Sequence, residues 1–161
     1  MLTSAKRENL EHSLRTAVAA TVSLGIARLL HLSEPQWAAI STMVVTQSTL
    51  GAALTISGER FAGTALGAAA GGLLGTYFGT SLMAFGLGVL ALGLLCGVLR
   101  LDRAAYRFAG ITLAIVMLVA REHVWTTAVH RFLEVSLGIL AGLAVTALWP
   151  QRSQTAKPKA S

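Results

Sequence analysis

Long uncharged runs dominate the pattern of hydrophobic and polar positions along this chain. From Phe61 to Leu99 the sequence has no charged side chain. A helix that crosses the hydrocarbon core of a bilayer needs about 20 apolar residues, so this run predicts two spans with a turn near "YFGTS", Tyr77 to Ser81. Shorter apolar runs on either side are interrupted by the polar clusters "SEPQW" and "RLDR".

Six spans fit the whole pattern, which predicts an all-α, polytopic membrane protein. Pro35 suits the start of the second span, because proline fits the first turn of a helix. We expect a cytoplasmic N-terminal segment at 1–13, a six-helix transporter-like module at 14–150 and a disordered cytoplasmic tail at 151–161. The predicted spans are 14–32, 36–50, 55–77, 81–99, 104–120 and 124–149.

The composition supports a membrane protein and argues against several other classes. Hydrophobic residues make up 54% of the chain and charged residues 12%, about half the usual share in soluble domains. The net charge of +6 does not predict nucleic-acid binding, because the basic residues are scattered among apolar runs. Cys96 stands alone, and no metal-ligand cluster, nucleophile set or phosphate loop is present. We therefore expect no enzyme, no cofactor and no metal.

The distribution of lysine and arginine predicts the orientation of the spans. Positive residues accumulate in cytoplasmic loops. With the N-terminus inside, ten of the 13 Lys and Arg residues lie on the cytoplasmic side, and only Arg121 lies in an outside loop. Both termini are therefore expected in the cytoplasm, with the module in the inner (plasma) membrane. Trp37 and Trp125 are expected at the outer boundary and Trp149 at the inner one, as an aromatic belt.

Two segments of the chain repeat one another. "GERFAGTALGAAAG" (58–71) returns as "VHRFLEVSLGILAG" (129–142), seventy-one residues later, and 37–45 aligns with 108–116 at the same offset. Spans two and three thus match spans five and six, and spans one and four are paired by default. A unit of three spans is odd, so its second copy begins on the opposite side, which favours a 3+3 inverted-topology repeat. The alternative is a chance alignment of small and apolar residues.

Glycines recur at four-residue spacing in both copies of the repeat. Small residues at this spacing let helix backbones approach closely. We expect helix packing here, while close contact would also permit one helix to slide on another. The glycines are Gly63, Gly67 and Gly71 in the third span and Gly138 and Gly142 in the sixth.

Ionisable residues inside spans are the candidates for function, because charge within a bilayer is costly. The spacing of His130, Arg131 and Glu134 places them near one helix face. They form either an ion pair that locks the bundle, or an anion site with titratable, proton-coupling groups in His130 and Glu134. Arg60 lies at the inner end of its span, where it reaches either the headgroups or a pathway, and Arg107 could reach an internal cavity.

"EPQWAAISTMVVTQSTLGAALTISGERFAGTALGA" (34–68) resembles the fusaric acid resistance and aromatic acid exporter superfamily. The resemblance covers about 15–150 and depends on the order and spacing of its motifs. In the first half these residues are Pro35, Trp37, Ala38, Gln47, Arg60, Gly63, Thr64 and Gly67. In the second half they are Tyr106, Arg107, Phe108, Trp125, Arg131, Glu134, Gly138, Trp149 and Pro150.

This resemblance implies export of small organic acids, often aromatic carboxylates, across the inner membrane, driven by the proton gradient. Plant malate channels are similar in this membrane module. Many members carry a large cytoplasmic domain or a second membrane module, so a single module favours a homodimer. The implied partners are the lipid bilayer and a small organic anion.

Three hypotheses follow. The leading one is a proton-coupled exporter in which Arg60 and Arg131 attract the carboxylate from opposite ends of the pathway, with Arg107 as a weaker third contact. The second is a passive organic-anion channel built from the same arginines. The third is a non-transporting membrane subunit or assembly scaffold.

Overall fold

The computed structural model describes residues 4–47, 49–119 and 123–149. Within these ranges the chain is all helical, with six α-helices and one π-helical turn, Ile115–Val119. The predicted tail at 151–161 and the loop residue Arg121 lie outside the described residues. The helices are α1 Ser4–Leu29, α2 Gln36–Val45, α3 Leu50–Phe78, α4 Leu82–Val98, α5 Arg103–Ala114 and α6 Val124–Leu148.

The helices agree in number and order with the six predicted spans, but the boundary between the second and third is wrong. The second span was predicted to reach Leu50, whereas α2 ends at Val45 and α3 already begins at Leu50. Polar side chains in between bind the backbone, which competes with helix continuation. Thr49 accepts a hydrogen bond from the Ala52 N–H as the cap of α3. Gln47 donates its amide to the Val44 carbonyl.

Helices of one half of the chain pack mainly against helices of the other half. α2 packs along α6, α5 packs along α3, and α3 and α6 contact one another at the centre. α1 lies against α2 and α6, and α4 lies in the matching place against α5 and α3. The arrangement therefore has an approximate two-fold relation between α1–α3 and α4–α6.

Contacts at the centre show that α3 and α6 run in opposite directions. The Phe61 and Phe132 rings, equivalent in the repeat, lie 5.0 Å apart. Later in α3, a methyl group on Gly75 would lie 2.7 Å from the Val124 side chain at the start of α6. The two equivalent helices thus cross antiparallel, as the inverted repeat predicts.

The glycines form equivalent contacts in both halves. A methyl group on Gly67 would lie 2.3 Å from the Ala109 carbonyl oxygen, and one on Gly138 would lie 2.3 Å from that of Ala38. The same relation links Gly71 with Val116 and Gly142 with Val45. Each pair differs by the seventy-one residues of the repeat, so the repeat extends to the structure, and these glycines lie where two helices approach closely.

α1 and α4 are also equivalent, although their sequences share almost nothing. The chain closes both helices in the same way: His31 and Arg100 adopt left-handed conformations, with φ of 51° and 54°. Leu32 N–H donates to Ala27 and Leu101 N–H donates to Cys96, the pattern of a Schellman cap. The buried faces also match at four-residue spacing, with Arg15, Ala19, Ser23 and Ala27 in α1 and Ala84, Gly88, Leu92 and Cys96 in α4.

Arg15 closes the end of the bundle where α2 and α6 finish. Its side chain is 1% exposed and donates to the carbonyls of Trp149 over 2.8 Å and Gln47 over 2.5 Å. Helix C-termini leave carbonyls unpaired, and a cation there also favours the helix dipole. Arg15 thus ties two helix ends together from inside the bundle.

Large apolar side chains point outward while polar and small ones point inward. On α4, Leu82, Leu90 and Val98 are more than half exposed, whereas Gly88 and Cys96 are buried. By length and composition α6 alone is long and apolar enough to cross a membrane among the described helices, and α2 and α4 are shorter apolar helices.

Candidate functional site

The two repeated arginines meet at one cavity. Arg60 of α3 and Arg131 of α6 are 6% and 2% exposed, and both line a cavity of about 10 Å³. The prediction that they lie at opposite ends of a pathway is wrong. The antiparallel crossing of α3 and α6 brings both side chains to the same cavity. Arg60 is buried at this cavity, so in this conformation its side chain does not extend toward the headgroups. The cavity also has Trp37, Thr64, Phe108, Ile111, Thr112, Ile115 and Val135 in its lining.

Each guanidinium covers an aromatic ring from the opposite half. Arg60 lies 4.7 Å from the centre of the Phe108 ring, and Arg131 lies 4.0 Å from that of Trp37. Phe108 is the repeat equivalent of Trp37, so these two cation–π contacts are equivalent as well. Contacts of this kind stabilise a buried cation without neutralising its charge. Trp37 therefore belongs to the lining of the cavity, where the Arg131 guanidinium covers its ring.

Arg131 is surrounded by carboxylates. Its Nη2 donates to Glu34 Oε2 over 2.9 Å, and its Nη1 lies 3.7 Å from Glu134 Oε2. Glu134 is 1% exposed and accepts a hydrogen bond of 2.7 Å from the Glu34 N–H. The predicted cluster on α6 thus exists, and it is joined to the α1–α2 turn through Glu34, which sequence analysis missed.

His130 binds the same turn from the next position of α6. Its Nδ1 forms a hydrogen bond with the Ser33 hydroxyl. His130 and Glu134 therefore hold adjacent residues of one turn. The three predicted residues of α6 lie together, with Arg131 facing the cavity and His130 facing the turn.

Arg60 has a different environment. Its Nη2 donates to the Ser41 hydroxyl over 3.0 Å, and among the described residues it makes no ion pair with a carboxylate. Its Nε, like Nε and Nη1 of Arg131, is buried without a hydrogen bond in the described part of the chain. Unused donors on buried cations are costly, and an acceptor that carries negative charge would satisfy them.

Arg107 does not join the other two arginines. It is exposed, and its neighbour Phe108 is the residue that faces the cavity. Adjacent positions on a helix point about 100° apart, so only one of the two can face inward. The prediction that Arg107 reaches an internal cavity is therefore wrong for this conformation.

The cavity is closed in this conformation. Its volume of about 10 Å³ is close to that of a single water, so an organic acid would require the helices to separate. A larger open groove of about 310 Å³ lies beside Tyr106 and Cys96, but no buried cation lines it. Across the described ranges, no three His, Cys, Asp or Glu side chains are placed to share a metal ion.

Six helices in two antiparallel halves, with paired buried arginines at their crossing, define an inverted-repeat helical module. The sequence model of the fusaric acid resistance protein family matches residues 9–160, and the chain belongs to this family. The superfamily indicated by the motifs is thus confirmed.

Curated relatives include two proteins of Escherichia coli K12. "Uncharacterized transporter YdhK" is 33% identical over 152 residues, covering 88% of this chain and 23% of the relative. "Inner membrane protein YeeA" is 33% identical over 147 residues, covering 88% of this chain and 41% of the relative. The YdhK of Salmonella typhimurium LT2 is 31% identical over 155 residues. The chain thus spans less than half the length of these relatives, and no solved structure matches it.

Proposed function

We propose that this chain is a multi-pass module of the inner membrane that moves small organic carboxylates, including aromatic ones, out of the cell. The observation that carries the proposal is the cavity with two buried arginines, of which Arg60 has no carboxylate partner among the described residues. A buried cation with unused donors favours an anion with hydrogen-bond acceptors, and a carboxylate satisfies both.

A membrane location is supported by the distribution of side chains. Arg60, Arg131 and Glu134 are buried while leucines of α4 are exposed, the reverse of a soluble domain. The relatives are named as a transporter and as an inner membrane protein. Both termini are proposed to lie in the cytoplasm, as the lysine and arginine distribution indicates. We also propose that the module forms a homodimer.

Proton coupling is proposed from the charge balance of the site. Arg60 and Arg131 are balanced by Glu34 and Glu134 when both glutamates are ionised. A monocarboxylate adds one negative charge, and a proton taken up by Glu134 or His130 restores neutrality. At Glu134 the proton also weakens the ion pair with Arg131 and so releases part of Arg131 for the anion. Protonation and anion binding therefore favour one another, so that anion and proton move together without net charge, and outward movement is driven by the concentration gradient of the carboxylate.

A passive anion channel is the second candidate. It is favoured by Arg60, which attracts an anion without any proton because no described carboxylate forms an ion pair with it. Movement of an unaccompanied anion is electrogenic, and the membrane potential contributes about 2.3 kcal/mol per charge per 100 mV. Net charge movement therefore separates the two candidates.

The test is flux of benzoate, a simple aromatic carboxylate, from vesicles that contain the purified protein. We expect Arg60→Ala and Arg131→Ala to abolish most of the flux, and Arg28→Ala to retain it. Arg28 is the matched control because it is an exposed arginine in the last turn of α1. Full flux in both cavity variants would reject these roles. Flux that depends on pH without generating a potential supports the coupled transporter, whereas a current supports the channel. No flux from the wild-type protein would favour the scaffold.

A further inference from the structure

A carboxylate-binding site beside the cavity, formed by two residues of its lining, is already occupied by the protein itself. Nη2 of Arg131 and Nε1 of Trp37 both donate to Oε2 of Glu34, each over 2.9 Å. One charged and one neutral donor thus converge on a single carboxylate oxygen, which is the chemistry that recognises an organic acid. The occupant belongs to the turn between α1 and α2, and is therefore tethered through a short connection.

The occupant is close to solvent, whereas its partner is not. The Glu34 side chain is 40% exposed and that of Arg131 is 2% exposed. Glu34 therefore lies between the buried cation and the surface. Rotation of this one side chain away from Arg131 would present both donors to an anion that arrives from the same side.

The other half of the repeat has no such removable group. The equivalents of Glu34 and Glu134 are Ala105 and Gly63. A methyl group on Gly63 would lie 2.3 Å from the Ala105 carbonyl oxygen, so backbone packing closes this position. The equivalent position is therefore filled by direct helix contact in one half and by an ion pair that can exchange in the other.

Exchange of one carboxylate for another avoids the main cost of opening. A buried charge that loses its partner is strongly destabilising. If an incoming carboxylate takes the two donors as Glu34 leaves, Arg131 stays paired throughout, and Glu34 regains its hydration in water. Opening is then favoured by the ligand, which fulfils the requirement that a ligand distinguish between two conformations.

We propose that Arg131 Nη2 and Trp37 Nε1 form a carboxylate-binding site that Glu34 fills as a tethered competitor, and that an organic carboxylate displaces it and releases the α1–α2 turn. The identity of the displacing anion rests on the proposed function, whereas the occupancy by Glu34 rests on the contacts alone.

The first test measures benzoate binding by calorimetry on the full chain in nanodiscs. Removal of the competitor in Glu34→Gln is expected to tighten binding; if Glu34 fills the site about nine tenths of the time, the gain is about tenfold. Adding Trp37→Phe to Glu34→Gln keeps the ring but removes the donor, and is expected to weaken binding about fivefold, the value of one hydrogen bond. Glu59→Gln is the matched control, because Glu59 is a partly buried glutamate of α3 that interacts with Asp102 and not with Arg131.

The second test measures access to the cavity without any substrate. In a Cys96→Ala background, Ile115→Cys introduces a thiol into the cavity lining. We expect Glu34→Gln to increase its rate of labelling by a small anionic thiol reagent, Glu34→Asp to give an intermediate rate, and Glu59→Gln to leave the rate unchanged. The shorter, still charged aspartate preserves the net charge, and thus separates loss of reach from loss of charge.

The two tests fail independently. An unchanged labelling rate in Glu34→Gln overturns the role of Glu34 as a tethered competitor, even if benzoate flux remains dependent on Arg60. Faster labelling combined with no benzoate binding or flux in any variant retains the competitor and overturns the proposed function. Weaker benzoate binding in Glu34→Gln would show that Glu34 supports the ligand instead of competing with it, and would also overturn the inference.

Discussion

The two arginines of the cavity occupy equivalent places in the repeat but differ in the charges around them. Arg60 donates to the Ser41 hydroxyl, and no carboxylate pairs with it among the described residues. Arg131 lies between Glu34 and Glu134. Both guanidiniums cover an aromatic ring and both are buried, so the difference is confined to the acidic partners.

This difference originates from two positions of the repeat. Where the second half has Glu134 against the turn at Glu34, the first half has Gly63 against Ala105. A small pair gives direct helix contact, and an acidic pair gives an exchangeable polar contact. The repeat therefore supplies one scaffold twice, while substitution at these positions provides a free cation in one half and a movable seal in the other.

Removal of each arginine should show the difference between the two halves most clearly. Arg131→Met leaves Glu34 and Glu134 without their cation, and we expect a loss of about 3–5 kcal/mol in the free energy of unfolding. Arg60→Met removes a hydrogen bond and a cation–π contact, and should cost about 1–2 kcal/mol. Thermal unfolding in detergent measures both. Equal losses would show that the acidic partners do not distinguish the two halves.

Arg15 is a second charge present in only one half, since its equivalent in α4 is Ala84. Arg15→Met keeps the length of the stem but leaves the carbonyls of Gln47 and Trp149 without a charged donor. We expect a loss of about 3 kcal/mol, from charged hydrogen bonds worth about 1.5–3 kcal/mol each. Arg28→Met, at an exposed position of the same helix, is the control. A loss below 1 kcal/mol for Arg15→Met would contradict a structural role for this contact.

The glycine contacts should respond alike in both halves. In Gly67→Ala and Gly138→Ala the new methyl group meets a backbone oxygen at 2.3 Å, and backbone cannot move aside without separating two helices. We expect each variant to lose about 1–3 kcal/mol. Gly110→Ala has no atom within 4 Å of the new methyl group and should be neutral or slightly stabilising. Melting temperatures that fall for one glycine but not its equivalent would show that the packing is not symmetric.

Much of the scaffold could be predicted, because it depends on short-range patterns. Uncharged runs predicted the six helices, and the Arg-Phe and Leu-Gly pairs predicted which helices are equivalent. The offset that aligned Arg60 with Arg131 also aligned Trp37 with Phe108, the two rings beneath the guanidiniums. The pairing of α1 with α4 could be assigned only by default, because the two helices share almost no sequence identity. They agree in the spacing of their buried residues and in their C-terminal caps.

The acidic site was harder to predict, because it depends on contacts between distant parts of the chain. Glu34 lies in a turn, and nothing local shows that its carboxylate meets Arg131. The antiparallel crossing that joins Arg60 and Arg131 likewise has no sequence signature beyond the odd number of helices per repeat. The end of α2 was missed because Thr49 and Gln47 look like part of an apolar run but bind the backbone.

Substitution of Arg107 has the smallest expected effect. It tests whether any positive charge near the cavity supports benzoate flux, or only the buried arginines. It neighbours Phe108 but is exposed, so solvent and headgroups screen it from the site. Arg107→Ala should change the free energy of unfolding by less than about 0.5 kcal/mol, and benzoate flux by less than about twofold, since a factor of two corresponds to about 0.4 kcal/mol. Flux and unfolding are measured on the same preparation as Arg60→Ala. A loss of flux as large as that of Arg60→Ala would mean that Arg107 reaches the pathway in another conformation, and that burial in the closed form does not identify the residues that bind the anion.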